Sequence, residues 1–201
     1  MRIGLWMAAA VTAALLMPAP GQAQIAWDSP MLLPPRAPDG LGLYLVDVHG
    51  GELGVMGTWR APGLEFGIRA GLAEGHGDDL GIFGGIDFMG TLTRASNDFP
   101  LDVDWLVGAG LGAEDGVRLS LPAGLTAGHT FEGDGVFFIP YVTPRVILDA
   151  FLGAEDRRDS EDLDLDVAVD IGLDLRFRSN FTVRFGATVG DRSAVAIGVV
   201  F

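Results

Sequence analysis

Between Leu163 and Phe177 the chain keeps two chemistries strictly apart by parity. The odd positions are Leu163, Leu165, Val167, Val169, Ile171, Leu173, Leu175 and Phe177, and the even ones include Asp164, Asp166, Asp170, Asp174 and Arg176. A helix would mix the two sets around its circumference, whereas a strand places them on opposite faces. At about 3.3 Å per residue this strand is long enough to cross a bilayer while tilted. Phe181 to Val189 repeats the pattern, setting Phe181, Val183, Phe185, Ala187 and Val189 against Thr182, Arg184, Gly186 and Thr188. So do Leu64 to Leu72, with Glu65 and Arg69 on the polar side, and Leu101 to Leu111, with Asp102 and Asp104 there.

Composition narrows the reading. The mean hydropathy is +0.35 and 49% of residues are hydrophobic, yet no apolar run of membrane-helix length follows residue 24. A chain that is apolar in total but never for long is one in which every second residue faces lipid. The net charge is -14 and every basic residue is Arg. Without a basic cluster the chain has no nucleic-acid footprint. It also lacks cysteine, so an exported domain of this size needs another source of stability, which a closed sheet supplies.

Three regions follow. Residues 1–23 combine Arg2, an apolar stretch from Leu5 to Met17 and the small residues of Gly21-Gln22-Ala23, the pattern of a cleaved secretory signal peptide. Residues 24–39 hold Pro30, Pro34, Pro35 and Pro38 and are expected to form an extended periplasmic lead-in. Residues 40–201 are read as one all-β domain, an antiparallel transmembrane up-and-down β-barrel of about ten strands, eight being the alternative. The strands are expected near 41–49, 52–60, 64–73, 79–92, 101–112, 116–127, 136–150, 163–177, 181–190 and 194–201, the first alternating poorly. An even count returns both ends to one side. Aromatic residues gather near alternate turns, Trp59 with Phe66, Phe88 with Phe99, Phe177 with Phe181, as an interfacial girdle would. The opposite turns are acidic, through Glu74, Asp78, Asp79, Glu114, Asp115 and Glu155 to Asp162. The stretches Thr93 to Pro100 and Gly128 to Gly135 are long for periplasmic turns.

The succession of signal peptide, alternating strands and a last strand Ser193-Ala194-Val195-Ala196-Ile197-Gly198-Val199-Val200-Phe201 resembles small bacterial outer-membrane β-barrel proteins over residues 40–201. The resemblance implies an outer-membrane location, with lipid and lipopolysaccharide as surroundings. It also implies that Phe201 is the terminal aromatic read by the barrel-assembly machinery. It names no activity.

The residues themselves offer little chemistry. His49, His76 and His129 lie in turn-like sequence without metal-ligand spacing. There is no G-x-S-x-G element, and Gly81, Gly84 and Gly85 lack the following helix and Lys of a phosphate loop. No catalytic, metal or cofactor residue is assigned. The acidic turns could take Ca²⁺ or Mg²⁺, but none has the ligand order of a calcium loop. Pro122, Pro140 and Pro144 fall within strands and each removes a ladder donor, so they are expected to weaken one seam. Matching faces across the turn after Phe177 sets Asp174 opposite Arg184 as an ion pair inside the barrel.

The leading expectation is a monomeric structural or narrow-pore membrane barrel with a polar, largely filled lumen. One alternative is a lipid-modifying enzyme with lateral access through the proline seam, and another a secreted soluble barrel that carries a ligand. If Phe201 acts in assembly, deleting it should reduce insertion into the outer membrane, measured by heat-modifiable migration of the membrane fraction. Unchanged insertion would count against that role.

Overall fold

The computed structural model describes residues 26–48, 52–74, 80–113, 116–152, 163–179 and 181–201. The expected signal peptide, His49, His76, Asn180 and the acidic turns from Asp78 to Asp79, Glu114 to Asp115 and Glu155 to Asp162 lie outside the described residues. Strands form at β1 Gly40–Val48, β2 Glu52–Arg60, β3 Phe66–Glu74, β4 Leu80–Thr93, β5 Asp102–Ala113 and β6 Val117–Gly128. They continue as β7 Phe131–Gly133, β8 Val136–Leu152, β9 Leu163–Phe177, β10 Thr182–Gly190 and β11 Ala194–Val200. Each pairs antiparallel with its neighbour, β6 pairs with β8, and β1 pairs with β11, which closes a ten-stranded barrel. β7 stands outside that ring as a short spur on β8.

Closure is made by the chain ends. The Leu41 amide donates to the Phe201 carbonyl at 3.0 Å, and the Phe201 amide donates to Leu41 at 2.9 Å. We call this the terminal end, and the opposite one the far end. The stretch 128–135, too long for a plain turn, is a hairpin of its own: Asp134 and Gly135 turn with φ of 38° and 86° and bring Phe131 opposite Phe138. Two consecutive positive φ values are what a tight two-residue hairpin needs, and an Asp-Gly pair supplies them. The stretch after Thr93 is pinned as well, since the Ala95 amide donates to Asp102 at 3.1 Å and Arg94 donates to Asp104 at 2.6 Å.

Apolar side chains project outward from every barrel strand, among them Leu43, Val55, Ile68, Ile82, Val107, Leu125, Val146, Val167, Phe185 and Ile197, all exposed. Aromatics collect at the terminal end, where Phe66 and Phe88 lie 5.3 Å apart and Phe177 and Phe181 6.0 Å. Charged residues point the other way. Arg60, Arg69, Asp87, Arg145, Asp149, Asp170, Asp174 and Arg184 are buried. The polarity of a soluble domain is thus inverted.

The structure departs from the sequence reading at the lead-in. The described part of 24–39 does not extend away from the barrel, because residues 26–35 are buried within it. Prolines keep this stretch out of helix and ladder, but Trp27, Met31, Leu32 and Leu33 between them are apolar and fill the lumen. Polar side chains and glycines alone therefore do not fill it. Trp27 and Leu32 form one cluster with Tyr44, Val46, Met56, Phe83 and Val200, while Met31 and Leu33 form another with Met89 and Leu106. The poor alternation of β1 has the same origin: Leu41, Leu43 and Leu45 face out, and Tyr44 and Val46 face this segment.

The prolines divide between two seams, not one. The Pro140 carbonyl accepts from the His129 amide at 3.3 Å, so its nitrogen lies on the β6 side. Pairing between β6 and β8 lapses where Leu125 would meet Pro144. Pro122 instead falls in the ladder break between β5 and β6, where Gly108 would meet it. The β8–β9 ladder runs through Pro140 and Pro144 without a gap. Amide exchange in a membrane mimic should therefore be fastest near Gly108 and Leu125, whose carbonyls face prolines, and slower across β9–β10. Equal protection at all three seams would contradict this.

Candidate functional site

Crossing the lumen, residues 26–36 run from the far end towards the terminal end. Asp28 is held at the far end by Arg192, in the turn after β10. Arg36 reaches Asp102 and Asp104 at the terminal end. The segment then bends, and Gly40 begins β1 in the opposite direction.

Two groups of charges grip the far half. Asp28, fully buried, pairs with both Arg145 and Arg192. Arg145 also donates to Asp170 from Nε at 2.9 Å and to Ser29 Oγ from Nη2 at 3.1 Å. Asp170 in turn accepts from Thr188 at 2.6 Å and from the Met31 amide at 3.3 Å. Arg192 reaches Asp149 and, at 2.9 Å, Asp166. Burial pulls the Arg192 guanidinium down, but Asp28 and Asp149 beside it more than reverse this and hold it above its ordinary value. A single carboxylate on the segment therefore bridges two arginines of the wall, which Asp170, Asp149 and Asp166 neutralise together with it.

The middle is read through its main chain. Arg69 donates to the carbonyls of Met31 at 2.7 Å and Pro30 at 3.4 Å, and Arg184 donates to that of Leu32 at 2.8 Å. Nearer the terminal end Arg176 donates to the Arg36 carbonyl at 3.2 Å, and the Arg36 amide donates to Asp104 at 3.0 Å. Leu32 and Arg36 adopt φ of 52° and 54°, a region non-glycine residues visit at a cost of about 1–3 kcal/mol. The guanidiniums on their carbonyls offset it. Trp27 fits a slot floored by glycine: a Cβ on Gly85 or Gly110 would lie 2.3 or 2.5 Å from its ring. Its indole donates to the Ser120 carbonyl at 3.3 Å, and the Arg69 guanidinium lies over the ring at 5.5 Å.

Asp174 and Arg184 stand opposite one another in the β9–β10 ladder. Their contact is bidentate, Nε to Oδ1 at 2.6 Å and Nη2 to Oδ2 at 2.7 Å. The remaining guanidinium nitrogen of Arg184 goes to Leu32 and, at 3.2 Å, to the Tyr44 hydroxyl, so the pair also anchors the segment. Phe201 lies at the closing seam with its ring exposed. His129 packs edge-on against Phe131, with ring centroids 4.5 Å apart. Sequence reasoning missed Asp28, Arg145 and Arg192. The available signal was the set of apolar residues on the otherwise polar face, Tyr44, Val46, Met56, Phe83, Met89 and Leu106, which need an apolar partner inside.

A cavity of about 20 Å³ lies between Met31, Leu33, Arg60 and Arg69, room for about one water. Among the described residues no group of His, Asp or Glu could hold a metal ion.

No protein-family model matches the chain, and no curated protein proves similar to it. One similar solved structure comes from the de novo design of transmembrane beta-barrels. It is 16% identical, with 82% of this chain and 96% of that chain covered and a TM-score of 0.32.

In a refolding assay, Asp174→Asn and Arg184→Gln should each cost about 3–5 kcal/mol, because each leaves a buried charge without its partner. The double substitution should cost less than the sum. Strict additivity in this cycle would exclude energetic coupling.

Proposed function

We propose that this chain is an integral outer-membrane β-barrel with a structural role, sealed across its lumen by its own N-terminal segment. The observation that carries the reading is the inversion of polarity around a filled interior. Apolar side chains cover the outside of every barrel strand, while the buried charges are neutralised inside by Asp28 and by one another. Such an exterior is stable against lipid and costly against water. A lumen occupied by the buried residues 26–35 does not favour steady solute flow.

The remaining assignments follow from that reading. Residues 1–23 direct export, and the far end of the barrel, where Glu74 closes β3, is turned to the lipopolysaccharide side. The exposed Phe201 ring, beside the seam it closes, is presented to the barrel-assembly machinery. The barrel is monomeric and has no catalytic role.

Two measurements test the proposal. The protein should fractionate with the outer membrane and resist extraction by salt or alkali; recovery in the soluble fraction would overturn the membrane assignment. Reconstituted in a planar bilayer, it should leave the conductance at the baseline of the bare bilayer. Stable unitary steps would instead show that the segment does not seal the lumen.

A further inference from the structure

We propose that the lumen is a peptide-binding site, that residues 26–36 are its resident ligand, and that it accepts in trans a peptide of the same pattern. That pattern is an aromatic-acid pair followed two residues later by three apolar residues, here Trp27-Asp28-Ser29-Pro30-Met31-Leu32-Leu33. The inference goes beyond sealing: it concerns what the wall recognises, not whether solutes pass.

The wall treats the segment as a ligand and not as a further strand. No residue from 26 to 39 joins the ladder, whose first member is Gly40. The wall instead supplies side chains to main-chain groups. Guanidiniums of Arg69, Arg184 and Arg176 donate to carbonyls of Pro30, Met31, Leu32 and Arg36, and carboxylates of Asp170 and Asp104 accept from the amides of Met31 and Arg36. Main-chain contacts of this kind are available to any peptide that takes the same backbone course, with positive φ at the positions of Leu32 and Arg36. Selectivity comes from the side chains: the glycine-floored slot under Trp27, the arginines that share Asp28, and the apolar clusters that receive Leu32 and, separately, Met31 and Leu33.

The segment also has the geometry of a tethered ligand. Its described far tip, Ala26 to Asp28, touches the wall through side chains, and its other end leaves the lumen at an exposed junction, Asp39. One covalent connection at that junction therefore separates the ligand from the receptor.

The test uses the whole folded chain with a protease site inserted after Asp39. After folding in detergent micelles and complete cleavage, confirmed by mass, the barrel is exposed to a fluorescent synthetic peptide of residues 24–38. The labelled peptide should replace the resident segment at one per barrel and stay bound through gel filtration. A peptide carrying Asp28→Asn should bind at least ten-fold more weakly, because Arg145 and Arg192 then lose their shared carboxylate. A scrambled peptide of equal composition should not compete. Three results would overturn the proposal: departure of the resident segment without uptake, equal binding of the scrambled peptide, and absence of exchange over days. Collapse of the cut barrel, seen as loss of its compact migration, would do so too, since it would make the segment a folding core. Uptake by a protein that fails to enter membranes would leave the peptide site standing and remove the membrane reading alone.

Discussion

Arginines that point into a closed sheet with an apolar exterior must find their counter-charges inside it. Removing a guanidinium from water costs several kcal/mol even after relaxation, and good geometry with a carboxylate is what repays it. The whole interior is arranged around that requirement. Asp174 meets Arg184 directly across one ladder, and Asp87 serves Arg60 and Arg69. For Arg145 and Arg192, however, the wall's own Asp170, Asp149 and Asp166 are not the complete set, and Asp28 from the segment joins both. The position of the segment along the lumen is therefore fixed by charge, and its depth fixes which apolar residues face which strands.

That depth explains the second population inside the barrel. Lumen-facing positions on β1, β2, β4 and β5 carry Tyr44, Met56, Phe83, Met89 and Leu106, which would be poorly placed in a water-filled channel. They cover Trp27, Leu32, Met31 and Leu33 instead. Ion pairs and apolar contacts therefore share the interior: Asp28 meets Arg145 and Arg192 on one side of the segment, Asp87 meets Arg60 and Arg69 on another, and the apolar clusters lie between. A one-residue slip in any strand would exchange its inner and outer faces, so the ion pairs and the apolar contacts both hold the register.

The alternating strands were legible because their period is local: parity in Leu163 to Phe177 needs no knowledge of the rest of the fold. The Asp174–Arg184 juxtaposition was legible for the same reason, since it follows from a short hairpin with matched faces. The lead-in was misread because proline density excludes ladder and helix but says nothing about inside or outside. Burial of Trp27 and Leu32 depends on a cavity built from residues up to 173 positions away (200 − 27), such as Val200. The prolines were assigned to one seam because parity gives the face of a side chain and not the side on which its nitrogen points. That second alternation separates Pro122 from Pro140 and Pro144.

The segment and β1 run in opposite directions and join at a bend where Gly40 takes a φ of 114°. Topologically they form a hairpin with one arm inside the cylinder and the other in its wall. The chain therefore needs no threading. Both arms precede the other strands in sequence, so the sheet can be wound around an inner arm already in place, each new hairpin adding to the last. The hydrogen bonds between Leu41 and Phe201 then join the outer arm to the last strand of the wall.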